Sequence, residues 1–384
     1  MERVISILEH LPLADEFRKK IRKKEYSSSK IVSIEIAKLL KDIIQKSIDN
    51  KFVIYHEDLL NLIKHLGQSF IAMDQLQFSI GNIVKRILFI IREEVDKLTS
   101  FRENNLDSKS NLKKLSNVTS LNLLTDYKNI KMMTRKDSKV EEEQEKKVSI
   151  QNIEKITSEM KNNILQNIED LISELELTKE LINTKTSEHI NENDIILTAN
   201  HSDELDEFFT EYPNTKKFKV YIAESSPSLN GLIQAKKLIK NGIDTTIIKD
   251  TEIYSIIPKI TKVIIGTRAI VANGGLISYN GVYNICLFAN MYNIPVIVVG
   301  GSFKLTPLYI FGHDTYNEFL SPNVIFGKDV YFQGDISNIR FNTPGYDYVP
   351  PELITIYITN YGSQNPANIY RLFMEIYSQE DYFL

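Results

Sequence analysis

A single cysteine, Cys286, stands in 384 residues. That scarcity excludes an intramolecular disulfide framework and fits a reducing compartment. No run of about 18 apolar residues is present, so a membrane-spanning helix is not expected. Met1-Glu2-Arg3-Val4 brings in charge at once, and this opening does not read as a signal peptide. The cytosol is the expected location. Neither sign of charge is in excess, with 46 Lys and Arg against 50 Asp and Glu, which argues against direct nucleic-acid binding. A Walker A pattern is missing, and Gly274-Gly275 followed by Gly281 is not a G-x-G-x-x-G fingerprint, so direct GTP hydrolysis has no support. The histidines (His10, His56, His65, His189, His201, His313) never pair at i, i+4, and no cysteine accompanies them. A zinc site is therefore not expected, and no cofactor is implied. His201 is the exception to watch, because it follows an expected strand where sheet ligands collect.

What is present is organised in two halves, since single cores rarely grow beyond roughly 250–300 residues. Residues 1–100 read as a helical domain. Ile31, Ile34, Leu39, Ile43 and Ile44 form one apolar face, Leu59, Leu62, Ile63 and Leu66 a second, and Ile80, Ile83, Ile87, Ile90 and Ile91 a third. The pattern dissolves at Thr99-Ser100. Residues 101–149, with basic Lys109 to Lys139 ahead of Glu141-Glu142-Glu143, read as a flexible low-complexity insertion. Residues 150–190 read as a long bridging helix, with Ile153, Ile156, Met160, Ile164, Ile168, Leu171 and Leu175 on one stripe.

From residue 191 to 384 strands and helices alternate. Strands are expected at Ile195–Thr198, Phe218–Ala223, Thr245–Ile248, Val263–Gly266 and Ile294–Gly300, with another around Asn323–Phe326. Ser202 reads as the cap of a helix, and a second helix runs from Ser228 to Lys240. The fold class expected is α/β, an N-terminal helical domain followed by a doubly wound, mostly parallel, Rossmann-like sheet domain. The most informative stretch is Thr261–Gly301. Two β-branched runs bracket Asn273-Gly274-Gly275 and a helical pattern from Gly281 to Tyr292. The glycines either form a ligand-binding turn or only let strand and helix pack closely.

These residues resemble a family containing the isomerases of ribose-1,5-bisphosphate and methylthioribose-1-phosphate. The same family contains the alpha, beta and delta regulatory subunits of translation initiation factor 2B. The isomerase pattern is met by Gly266-Thr267-Arg268-Ala269, Asn273-Gly274-Gly275 and Ser278-Tyr279-Asn280-Gly281-Val282-Tyr283. The family's acid/base aspartate is replaced by Gly275 and its lysine by Tyr279. Its catalytic cysteine has no counterpart in Ile195–His201, and its E-T-R-P motif is Glu224-Ser225-Ser226-Pro227. Cys286 sits in an apolar helical stripe and reads as a small buried hydrophobe. Proton shuttling needs a placed acid/base pair and an anion clamp, so no catalytic residue is assigned. The ending, Tyr346-Asp347-Tyr348-Val349-Pro350-Pro351-Glu352-Leu353-Ile354-Thr355 through Ile369-Tyr370-Arg371-Leu372, is similar to the beta branch, as is Phe303-Lys304-Leu305-Thr306-Pro307.

The resemblance implies a non-catalytic regulatory or scaffold subunit of the guanine-nucleotide exchange factor for initiation factor 2, sensing phosphorylation of that factor's alpha subunit. Its partners would be the alpha, gamma, delta and epsilon subunits and initiation factor 2 itself. The alternatives are an active isomerase with relocated residues, or the alpha or delta branch. Asn200, Glu224, Asn273, Gly274, Gly275 and Lys304 are candidates for a vestigial ligand pocket, because they follow expected strands. Tyr346, Tyr348, Leu353 and Tyr357 are candidates for a subunit interface, being apolar or aromatic around a proline turn.

Overall fold

The computed structural model describes residues 12–23, 25–26, 28–50, 53–74, 76–110, 157–211, 217–310, 317–321, 340 and 342–382. Among the described residues, five helices build the first half: α1 (Pro12–Arg22), α2 (Ser29–Asp49), α3 (His56–Ile71), α4 (Phe78–Ser110) and α5 (Ser158–Asn183). Two begin on side-chain caps that satisfy otherwise orphaned donors. Ser28 accepts from the Ile31 amide at 3.3 Å, and Thr157 accepts from Met160 at 3.2 Å. One apolar core joins Leu40 and Ile43 of α2, Leu59 and Leu66 of α3, Ile83 and Ile87 of α4, and Ile164, Ile168 and Leu175 of α5. The expected face of α2 is corrected at its start: Ile31 is exposed, because the buried stripe begins with Val32. Helix α4, which carries the third expected apolar face, does not stop near residue 100 but continues to Ser110, since adding residues to a formed helix costs little. The rest of the expected insertion, and Ile153 and Ile156 of the expected bridging helix, lie outside the described residues.

The second half carries a sheet of order β11-β10-β7-β4-β1-β2-β3. Its strands are β1 (Ile195–Ala199), β2 (Lys219–Ala223), β3 (Asp244–Ile248), β4 (Lys262–Gly266), β7 (Val296–Val299), β10 (Ile356–Thr359) and β11 (Gly362–Gln364). All neighbours are parallel except β10 and β11, which form a hairpin. Both faces of the inner strands are covered, which is why β4 and β7 read as continuous apolar runs. Leu197, Val263, Ile265, Val296 and Val298 enter one core, and Ile196, Val220, Ile264, Ile297 and Val299 enter the other. Helices α6 (Asp203–Thr210) and α7 (Asn230–Lys240) follow β1 and β2, and α8 (Val282–Met291) precedes β7. A last helix, α9 (Ile369–Ile376), packs Ile369 and Phe373 into the first of these cores. The expected strand at Asn323–Phe326 lies outside the described residues.

The region between β4 and α8 departs from the expected strand–turn–helix. It contributes β5 (Ala269–Val271) and β6 (Leu276–Tyr279) to a second sheet, which β8 (Leu305–Thr306) and β9 (Tyr346–Val349) complete from further along the chain in the order β8-β5-β6-β9. Asn273-Gly274 is the turn of the antiparallel β5–β6 hairpin, not the entry to a helix. Gly274 has φ +83°, a left-handed conformation that glycine adopts without strain. Asn-Gly between two β-branched runs is the usual hairpin signal. The reading of these glycines as a ligand turn gave way to it.

Candidate functional site

A cleft of about 270 Å³ opens between the two halves, at the carboxyl ends of β1 and β4. Asn200, Ser202, Thr267, Arg268, Tyr279 and Lys304 line its sheet side, and Tyr26, Ser29 and Gln77 line its helical side. The rim is held by backbone ties. Asn200, in a left-handed conformation with φ 62°, donates its amide to Ser225 Oγ at 3.0 Å. The Ser225 amide in turn donates to Asp250 Oδ1 at 3.0 Å, so the loops after β1, β2 and β3 are fastened together. Ser225 thus serves as a tie where the isomerase pattern has another residue. Across the cleft, Arg268 Nη2 donates to Gln77 Oε1 at 2.9 Å while its guanidinium lies over the Tyr346 ring.

Lys304 does not face a free anion site. Its Nζ donates to Glu204 Oε2 at 3.1 Å, and the two residues are 5% and 4% exposed. Burial alone would raise the Glu204 carboxyl, but the Lys304 charge and a hydrogen bond from Ser202 Oγ outweigh it and bring it down to about 2. Ser202 therefore spends its hydroxyl on this carboxylate, and the expected side-chain cap of α6 is not made. A buried lysine already neutralised by a carboxylate is a poor clamp for phosphate.

Beside this pair, His201 Nδ1 lies 2.9 Å from Asp206 Oδ2, and Lys237 Nζ lies 3.1 Å from the same oxygen and 3.3 Å from Asp203 Oδ1. Burial would lower the Lys237 ammonium, but hydrogen bonds and charge from Asp206 and Asp203 hold it above the ordinary lysine range. The motif His201-x-Asp203-x-x-Asp206 is visible in the sequence once i, i+2 and i, i+5 spacings are considered alongside i, i+4.

The six pocket candidates separate. Asn200 and Lys304 line the cleft; Glu224 sits after β2, its amide donating to the Ile248 carbonyl at 2.9 Å. Asn273, Gly274 and Gly275 belong to the hairpin turn and pack on the closing segment instead. Asn273 Nδ2 donates to Tyr348 Oη at 2.7 Å, and Tyr357 Oη donates to the Gly274 carbonyl at 2.8 Å. A Cβ at Gly275 would lie 2.7 Å from the Tyr348 ring, so the position normal for an acid/base side chain is filled. Of the interface candidates, Tyr357 is corrected outright. It is fully buried on β10 in the sheet core, out of a partner's reach. Tyr346, Tyr348 and Leu353 are half-buried. Cys286 is buried, as expected, and burial pushes its thiol up to about 12.

The halves are also latched away from the cleft. Glu174 of α5 accepts from Asn360 Nδ2 at 2.8 Å and from Ser302 Oγ at 3.3 Å, and pairs with Arg86 of α4. Arg86 Nη2 also donates to Tyr361 Oη at 2.7 Å. Asp381 ties the chain's end to the helices through Arg92, at 2.9 Å, and Lys64, at 2.8 Å. Lys85 donates to the Tyr382 carbonyl at 2.9 Å, and burial pulls its ammonium down to about 8. These contacts join residues far apart in sequence and were not legible from it.

The pattern of the initiation factor 2 subunit family matches residues 25–366. The chain is similar to translation initiation factor eIF2B subunit beta of Dictyostelium discoideum, 33% identical over 346 residues, spanning 85% of this chain and 86% of the relative. Among solved structures it is similar in fold to eIF2B beta from Chaetomium thermophilum, with a TM-score of 0.67 and 22% identity over 99% of this chain and 97% of that one. It is also similar to a chain of the tetrameric eIF2B-beta2-delta2 complex from C. thermophilum, with a TM-score of 0.62 and 20% identity over 97% and 98%. Among the described residues, no helix is long and apolar enough to cross a membrane.

Proposed function

The chain belongs to the initiation factor 2 subunit family, and on that premise we propose that it is a regulatory subunit, of the beta type, of the exchange factor for initiation factor 2. It works in the cytosol, in assembly with alpha, gamma, delta and epsilon subunits. It performs no chemistry of its own. One observation carries this non-catalytic reading: Lys304, the cation best placed to meet an anionic substrate in the cleft, is buried against Glu204. A phosphate brought to Lys304 would meet the Glu204 carboxylate as a like charge in a desolvated place, where repulsion is strong. The absent thiol and the filled space at Gly275 point the same way. The cleft is then a remnant of an isomerase pocket, with Asn200 and Lys304 on its wall.

The regulatory part rests on likeness over 85% of the chain to a beta subunit, and on the similar structure named for beta and delta chains together. The surface offered to a partner includes the half-buried Tyr346, Tyr348 and Leu353. Sensing would work by linkage: phosphorylated and unmodified initiation factor 2 favour different arrangements of the assembly, and each arrangement biases exchange by its differential affinity. Native mass spectrometry of this chain co-expressed with a delta-type chain tests the assembly. A mixed complex is expected. A chain that stays monomeric beside its partner and interconverts ribose-1,5-bisphosphate would overturn the proposal in favour of an enzyme.

A further inference from the structure

The start of α6 holds a group of donors that a regulatory scaffold does not use. One ligand atom from each of His201, Asp203 and Asp206 lies within 4.8 Å of the others, close enough to share one ion. Asp206 is 4% exposed, yet its Oδ1 makes no hydrogen bond. A buried carboxylate oxygen in that condition is costly. A second observation comes from a different helix. Gln234 of α7 is fully buried, and neither atom of its amide has a hydrogen-bond partner. It stands three residues before Lys237, the residue through which α7 meets Asp203 and Asp206. Buried polar groups without partners mark places where an ion or water belongs.

Lys237 supplies a positive charge there, but a displaceable one. Its ammonium is spread at 3.1 to 3.3 Å over Asp206, Asp203 and His201, and its side chain is 44% exposed. A half-exposed lysine gives up such a pairing at small cost, because its flexible stem can carry the ammonium into water. We propose that His201, Asp203 and Asp206 form a binding site for a divalent transition-metal ion of the zinc class, and that the ion displaces Lys237. An imidazole nitrogen with two carboxylates suits Zn²⁺ or Co²⁺, whereas Mg²⁺ and Ca²⁺ take oxygen ligands. Access is open, because His201 and Asp203 line the cleft. Binding there would stiffen the junction of α6, α7 and the loop after β1.

The test is titration of the metal-stripped full chain with cobalt chloride, followed by visible ligand-field absorption and by competition with zinc chloride. A saturable spectrum with one ion per chain is expected. Lys237→Ala should bind roughly tenfold tighter, since it removes a competing charge from the site. His201→Ala should abolish the spectrum, and Asp203→Asn, altered at a half-buried position, should weaken it while circular dichroism stays native. No saturable absorption in either the wild type or Lys237→Ala overturns the site. So does binding that is indifferent to both His201→Ala and Asp203→Asn. An unchanged affinity in Lys237→Ala refutes the displacement.

Discussion

Replacing Glu174 by alanine removes one of the acceptors through which the two halves hold each other. In the intact protein its Oε1 receives Asn360 Nδ2 at 2.8 Å and Ser302 Oγ at 3.3 Å, and its carboxylate pairs with Arg86. The side chains of Arg86 and Glu174 are 14% and 24% exposed, so the pair is largely, though not wholly, out of water. Losing one partner of a buried pair costs about 3–5 kcal/mol, and the residual solvent here brings the expected loss to about 2–4 kcal/mol. Arg86 keeps Tyr361 Oη at 2.7 Å but is left with an uncompensated charge. At roughly 2–4 °C per kcal/mol for a domain of this size, the main melting transition should fall by about 4–16 °C. Scanning calorimetry should also show the single transition dividing, as helices and sheet begin to unfold separately. Glu174→Gln keeps an acceptor for Asn360 and should lose about half as much. The double variant Arg86→Met/Glu174→Met should recover part of the loss, because no charge is then stranded. A Glu174→Ala protein within about 1 kcal/mol of the parent would refute the latch.

Gly275→Asp restores the isomerases' residue type, but its Cβ would lie 2.7 Å from the Tyr348 ring and 2.9 Å from the Val349 carbonyl. It should destabilise by about 1–3 kcal/mol in chemical denaturation and give no isomerase activity; a stable, active variant would contradict this. Cys286 should resist Ellman's reagent at neutral pH until the protein unfolds, because a thiol raised to about 12 stays protonated there. Fast labelling of the native chain would show the helix open. Glu204, lowered from 4.5 to about 2, contributes stability that is full above about 4.5 and lost as pH falls toward 2. The melting advantage of the parent over Glu204→Gln should therefore shrink below about pH 4.5, and a pH-independent difference would remove the ion pair from the account.

The inner parallel strands were legible because burial on both faces writes an uninterrupted β-branched run, as in Val263–Ile265 and Val296–Val299. The helical stripe Met160–Leu175 was legible for the analogous reason, one buried face at steps of three and four. The inserted sheet was not, although Asn273-Gly274 signalled it. A glycine turn between a strand and a helix explained the same letters, and strands as short as β8 (Leu305–Thr306) carry no period. Lys304 showed only as a cation after a strand. Its neutraliser, Glu204, lies 100 residues away and is brought there by the order of β1 and β7 in the sheet. Tyr357 looked like an interface aromatic because composition does not distinguish a core side chain from a partner's contact. On β10, buried on both faces, it enters the core that holds Cys286 and Phe373 and reaches the Gly274 carbonyl.

The central proposal is that this chain regulates exchange without performing chemistry. Release of labelled GDP from initiation factor 2 tests it most directly, comparing the catalytic gamma and epsilon subunits alone with the assembly containing this chain. Each is assayed before and after phosphorylation of the factor's alpha subunit. The account predicts similar release by the catalytic pair on both forms, and release by the assembly that falls on phosphorylation only when this chain is present. Release equally sensitive to phosphorylation with and without the chain would contradict it.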